Sequence, residues 1–155
     1  MKEILKYSCL IFLYALSHSY LATCFAIDLK IKGYEERYIG LSLSLWGIGV
    51  ILGALIHNLI RKKLNLISTI LYGSLIQFTF SLIFLIDQNT FLVALMQFVM
   101  GITSAINSLT LESHISSKFK KTSGFYISLF WSSAGLGAIT GSLFIAINGL
   151  SLIHI

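Results

Sequence analysis

Residues 39–63 read IGLSLSLWGIGVILGALIHNLIRKK. From Ile39 to Ile60 there is no Asp, Glu, Lys or Arg, and the run then stops at Arg61, Lys62 and Lys63. The hydrocarbon core of a bilayer is roughly 30 Å thick and takes about 20 helical residues to cross. No water is present there to satisfy a loose backbone, so a spanning segment of this kind must be helical. Residues 39–60 therefore predict a transmembrane helix closed by a basic loop.

Four further apolar runs of similar length lie near residues 7–27, 64–86, 90–111 and 123–147. The fold class expected is all-α, a polytopic membrane helix bundle of about five transmembrane helices, with residues 1–155 as a single transmembrane domain. Composition agrees. Of 155 residues 56% are hydrophobic and 11% charged, whereas soluble domains carry about 25% charged residues. A water-soluble chain this short could not bury so much apolar surface in its own core. The chain contains no proline, so no helix kink can be assigned to one. No internal repeat or low-complexity linker is visible.

The formal net charge of +5 sits in short clusters between the apolar runs, which is the pattern of membrane loops. A nucleic-acid binder would gather its Lys and Arg on one soluble face, so the partner expected is the lipid bilayer and not nucleic acid. Cys9 and Cys24 share the first run, roughly 22 Å apart along one helix, too far for a disulfide. Leu21-Ala22-Thr23-Cys24 weakly resembles a lipoprotein cleavage site. The run around it is nevertheless too long for a signal core.

Orientation follows from Lys and Arg in alternate loops. Lys2, Lys6, Arg61, Lys62, Lys63, Lys118, Lys120 and Lys121 fall on one side, eight against Lys30, Lys32 and Arg37 on the other. The second side also carries Asp28, Glu35, Glu36 and Asp87. The N-terminus is expected in the cytoplasm, and the protein in the inner (plasma) membrane as a multi-pass chain.

The stretch Gly33–Gly40, the close of the second span over Gly53–Lys63, Glu112-Ser113 at the end of the fourth and the small-residue run Ser133–Ser142 in the fifth together resemble the N-terminal half of a major facilitator superfamily permease. Gly33-Tyr34-Glu35-Glu36-Arg37-Tyr38-Ile39-Gly40 looks like that family's first outer loop. Gly53-Ala54-Leu55-Ile56-His57-Asn58-Leu59-Ile60-Arg61-Lys62-Lys63 is similar to its motif between helices two and three. Gly53, Leu55 and the Arg61–Lys63 cluster agree with the motif. His57 stands at its acidic position, Asn58 at the next basic one and Ile60 at its second glycine. The small-residue run Ser133–Ser142 is similar to the family's motif in helix five, with Ala138 where proline is usual. Helix four ending in Glu112-Ser113 is similar to the YcaD-like bacterial branch. The resemblance implies a half of six helices, present here as five and the start of a truncated sixth at residues 148–155. It implies alternating access, with a gating loop at Gly53, Arg61, Lys62 and Lys63. Glu112, by its position among the cytoplasmic positive charges, is a candidate to pair with one of those cations and latch the inner gate, a solvated loop pair being the alternative. The resemblance also implies that helices two and five slide against the other half, through Gly49 and Gly53 and through Gly137 and Gly141. Packing within one half is the alternative for those glycines. The family's frequent helix-four arginine is absent, and coupling through it does not carry over.

Polar groups in a span are costly and tend to face the bundle interior or a water-filled cavity. His18 stands near the middle of the first span with Tyr14 and Ser17 about one turn away. It is a candidate solute or proton ligand, since imidazole titrates near neutrality; a hydrogen-bonded packing role is the alternative. Gln97, Gly101, Ser104 and Ser108 share one helix face, with Thr103 and Asn107 beside it. That face suits a polar cavity wall or, equally, interhelical packing. Trp46 and Trp131 lie inside spans, suited to packing or to stacking on a solute.

The function expected is transmembrane transport of a small solute, with protons as a candidate coupling ion, by a secondary transporter of which this is a truncated N-terminal half. The missing C-terminal half, or a second copy, would complete it. A non-transporting membrane assembly or scaffold protein is the alternative. No phosphate-cradling glycine loop is present, no paired carboxylates point to an enzyme, and neither cofactor nor metal is expected.

Overall fold

The computed structural model describes the backbone of residues 2–86 and 90–153 and the side chains of residues 3–82 and 91–147. All regular structure among them is helical: α1 (Lys2–Ile31), α2 (Glu36–Arg61), α3 (Leu66–Ile86), α4 (Thr90–Lys118) and α5 (Ser123–Ile153). Asp87, counted above with the loop charges, lies outside the described residues.

The apolar runs form the helices predicted for them, and the helices outrun the spans. At 1.5 Å per residue, the 30 residues of α1 reach about 45 Å, well beyond a hydrocarbon core. Four helices, α1, α2, α4 and α5, are long and apolar enough to cross a membrane, and the described apolar part of α3 is the shorter Leu66–Leu82. The protein is a membrane-embedded helical chain. Residues 148–153 do not open a sixth helix. They continue α5, because Asn148 and Gly149 lie in an otherwise apolar run with no proline to stop it.

Helix ends follow local chemistry. α1 stops at Gly33, whose φ of 81° is the left-handed conformation open to a residue without a Cβ. Its N–H bonds the Lys30 carbonyl at 3.0 Å and the Tyr34 N–H reaches the Leu29 carbonyl at 3.1 Å. Those two bonds satisfy carbonyls that the helix end would otherwise leave open. Asn65 caps α3, its Oδ1 accepting from the Ser68 N–H at 2.8 Å.

The chain divides into two compact units, Met1–Asp28 with Ile115–Ile155, and Leu29–His114. The first holds α5 and most of α1. Gly137 lies against Phe12 and Leu16, and Gly141 against Leu16 and Tyr20, in each case on backbone atoms. The absence of a Cβ at both positions is what lets the two helices touch. Ser19 donates to the Ala138 carbonyl at 2.8 Å and sits 2.6 Å from the Ser142 hydroxyl across the same seam.

The second unit holds α2, α3 and most of α4. Gly49 meets Phe98 and Ile102, Gly53 meets Ile102 and Ala105, and Gly101 meets Trp46 and Val50. Glycines on both helices thus bring the α2 and α4 backbones together. Gly73 of α3 receives the side-chain amide of Asn107 from α4. Across the short loop between α1 and α2, Lys30 at the end of α1 pairs with Glu36 in the first turn of α2, and Arg37 pairs with Glu35 just ahead of it. The Lys30 hydrogen bond and charge hold the Glu36 carboxyl below its ordinary range, outside the apolar run that begins at Ile39.

Candidate functional site

α4 is the most deeply buried of the four helices long and apolar enough to span, and its buried face is polar. Gln97 is 1% exposed, and Thr103, Ser104, Ser108 and Thr110 are buried with it. Helical spacing puts Gln97, Gly101, Ser104 and Ser108 on one stripe. Gly101, in the middle, is sealed against the α2 backbone at Trp46 and Val50. The Thr103 hydroxyl donates to the Val99 carbonyl at 3.0 Å in its own helix. That bond commits its proton to the backbone. Asn107 faces α3 at Gly73 and not the stripe. Of the polar candidates on α4, then, Gln97, Ser104 and Ser108 remain together as a row of uncharged hydrogen-bonding groups.

His18 is half-buried, and its ring stacks on Tyr14 with centroids 6.3 Å apart. Residues two apart on a helix stand about 200° apart around it. Leu16 faces α5, so His18 and Tyr14 occupy the opposite side of α1, the side that carries the buried Ile11 and Phe25. Ser17 is exposed, and its hydroxyl donates to the Tyr14 carbonyl at 2.9 Å.

The tryptophans differ. Trp46 is half-buried and its carbonyl lies under Gly101, a packing position. Trp131 is 46% exposed and meets Phe130 edge-on at 5.4 Å, while Phe130 itself is fully buried. Phe130 fills the core and Trp131 faces outward.

For the paired glycines, the contacts within this chain are those of the packing alternative. A Cβ at Gly49, Gly53, Gly137 or Gly141 would meet backbone of a neighbouring helix. All four are spent on seams within this chain, between α2 and α4 or between α1 and α5. Glu112, moreover, forms no ion pair with Arg61, Lys62 or Lys63 among the described residues. A hydrogen bond joining α2 and α4 near that end is His57 to Thr110 at 3.2 Å. Glu112 lies about 200° around α4 from Thr110 and so points away from His57.

Sequence reasoning missed the polar face of α3. Thr69 and Gln77 are buried on either side of Gly73, at i, i+4 and i+8. That spacing is legible in the sequence, but the apolar residues around it hide it from a search for long polar stripes. Thr110, fully buried and bonded to His57, also escaped notice, since nothing local distinguishes it from a packing threonine. No group of three His, Cys, Asp or Glu placed to hold a metal occurs among the described residues.

No protein-family model, curated protein or solved structure matches this chain.

Proposed function

We propose that the chain is one half-bundle of a secondary transporter that moves a small polar solute across the inner membrane by alternating access. The observation that carries this reading is the row Gln97, Ser104 and Ser108, uncharged hydrogen-bonding groups buried in the core of a chain that exposes many large apolar side chains. Such groups are expensive in a membrane interior unless they have work to do there. A transporter binds its solute near mid-membrane with groups of this kind. The absence of Asp, Glu, Lys and Arg from the row favours a solute recognised by hydrogen bonds over one recognised by charge.

The outward faces of α2 and α5 support a missing partner. Gly40 and Gly47 on α2, and Gly124 and Gly135 on α5, have nothing within 4 Å of where a side chain would begin. These positions leave room for further helices to approach, from a second half or a second copy. The count of eight Lys and Arg against three supports a cytoplasmic N-terminus.

The test uses Ser104→Cys in a background where Cys9 and Cys24 are serine. In membranes holding the protein with its partner helices, a membrane-impermeant thiol reagent should reach this cysteine through water. Reactivity from the two sides should change in opposite directions when transport is driven. A cysteine unreactive from both sides under every condition would reduce the row to helix packing and leave a scaffold role.

A further inference from the structure

The turn between α4 and α5 concentrates positive charge with little of its own to balance it. Of its lysines, Lys118 is paired with Glu3. Lys120 and Lys121 are exposed and form no ion pair among the described residues. The first turn of α5, which follows at once, contains no acidic residue, and helix N-termini are themselves positive.

Aromatic rings flank the same turn. Phe119 and Tyr126 lie 4.6 Å apart, and Phe125 packs edge-on to Tyr126 at 5.5 Å while remaining 69% exposed. The turn joins two helices long and apolar enough to cross the membrane, so it stands at the depth where headgroups begin. Tyrosine is enriched at that level. An exposed phenylalanine in the first turn of α5, just after the turn that carries Lys120 and Lys121, is costly in water and favourable beside acyl chains.

We propose that this turn is a docking surface for acidic phospholipid headgroups, with Lys120 and Lys121 holding the phosphate and Phe125 and Tyr126 seated at the top of the acyl chains. The charge is complementary to an anionic leaflet, and the rings select a lipid over a free anion. Juxtamembrane lysines near such a surface contribute about fivefold each to association. The inference depends on the membrane reading alone and stands or falls separately from transport.

The experiment reconstitutes the full chain in phosphatidylcholine vesicles and measures motionally restricted spin-labelled phosphatidylglycerol against spin-labelled phosphatidylcholine. The expected result is a several-fold preference for phosphatidylglycerol that falls with added salt. Lys120→Gln with Lys121→Gln should abolish most of it, while Lys62→Gln with Lys63→Gln should retain most of it. Circular dichroism of both variants checks that helix content is kept. Equal association of the two lipids would overturn the proposal, as would a preference that survives in the Lys120/Lys121 variant. Competition by soluble glycerol phosphate as effective as by the lipid would show a free-anion site and overturn it too.

Discussion

The hydroxyls of Ser19 and Ser142 lie 2.6 Å apart across the α1–α5 seam, and the direction of that bond is fixed by its neighbour. Ser19 gives its only proton to the Ala138 carbonyl, so Ser142 must be the donor to Ser19. A two-link chain of hydrogen bonds, Ser142 to Ser19 to Ala138, thus runs beside Gly137 and Gly141, where the backbones touch.

This arrangement predicts unequal costs along one seam. Ser142→Ala removes one interhelical bond and should cost about 0.6 kcal/mol, the average for such bonds in membranes. Gly141→Leu forces a side chain into the Leu16 and Tyr20 backbone and should cost more, about 1–3 kcal/mol. Reversible unfolding in mixed detergent micelles measures both. Equal costs would mean that the α1–α5 approach is looser than described.

The α2–α4 seam predicts a contrast within one helix. Gly49→Val should destabilise the protein by about 1–3 kcal/mol, because the new side chain meets the backbone of Phe98 and Ile102. Gly47→Ala, two residues away with open space around it, should be neutral or slightly stabilising through helix propensity. The same unfolding assay decides, and a destabilised Gly47→Ala would place another helix over that face.

Topology is tested by single cysteines at Glu35, Lys62 and Lys120 in the cysteine-free background. An impermeant thiol reagent added to intact cells should label Glu35→Cys alone. Labelling of Lys62→Cys and Lys120→Cys in its place would invert the orientation.

His18 is expected to meet water and not lipid. In the protein with its partner helices, His18→Cys should react with an impermeant thiol reagent, and His18→Leu should keep the fold while lowering transport or altering its pH dependence. An unreactive cysteine together with full activity of His18→Leu at every pH would leave His18 a packing residue stacked on Tyr14.

The sequence alone determined the class and the helices. Runs such as Ile39–Ile60 can satisfy their backbone in lipid only as helices, so composition and run length suffice, and Gly33 and Asn65 punctuate them by rules that act over three or four residues. Helical spacing also made the Gln97–Ser108 row legible. What the sequence could not assign was the partner of each face. Gly47 and Gly49 are both small and two residues apart, yet one is open and the other is pressed on α4. Glu112 and Thr110 are equally polar, yet only Thr110 meets His57. These choices depend on where two helices cross and on the side each turns to the other, which are properties of packing between segments remote in the chain. Only the tertiary structure holds them.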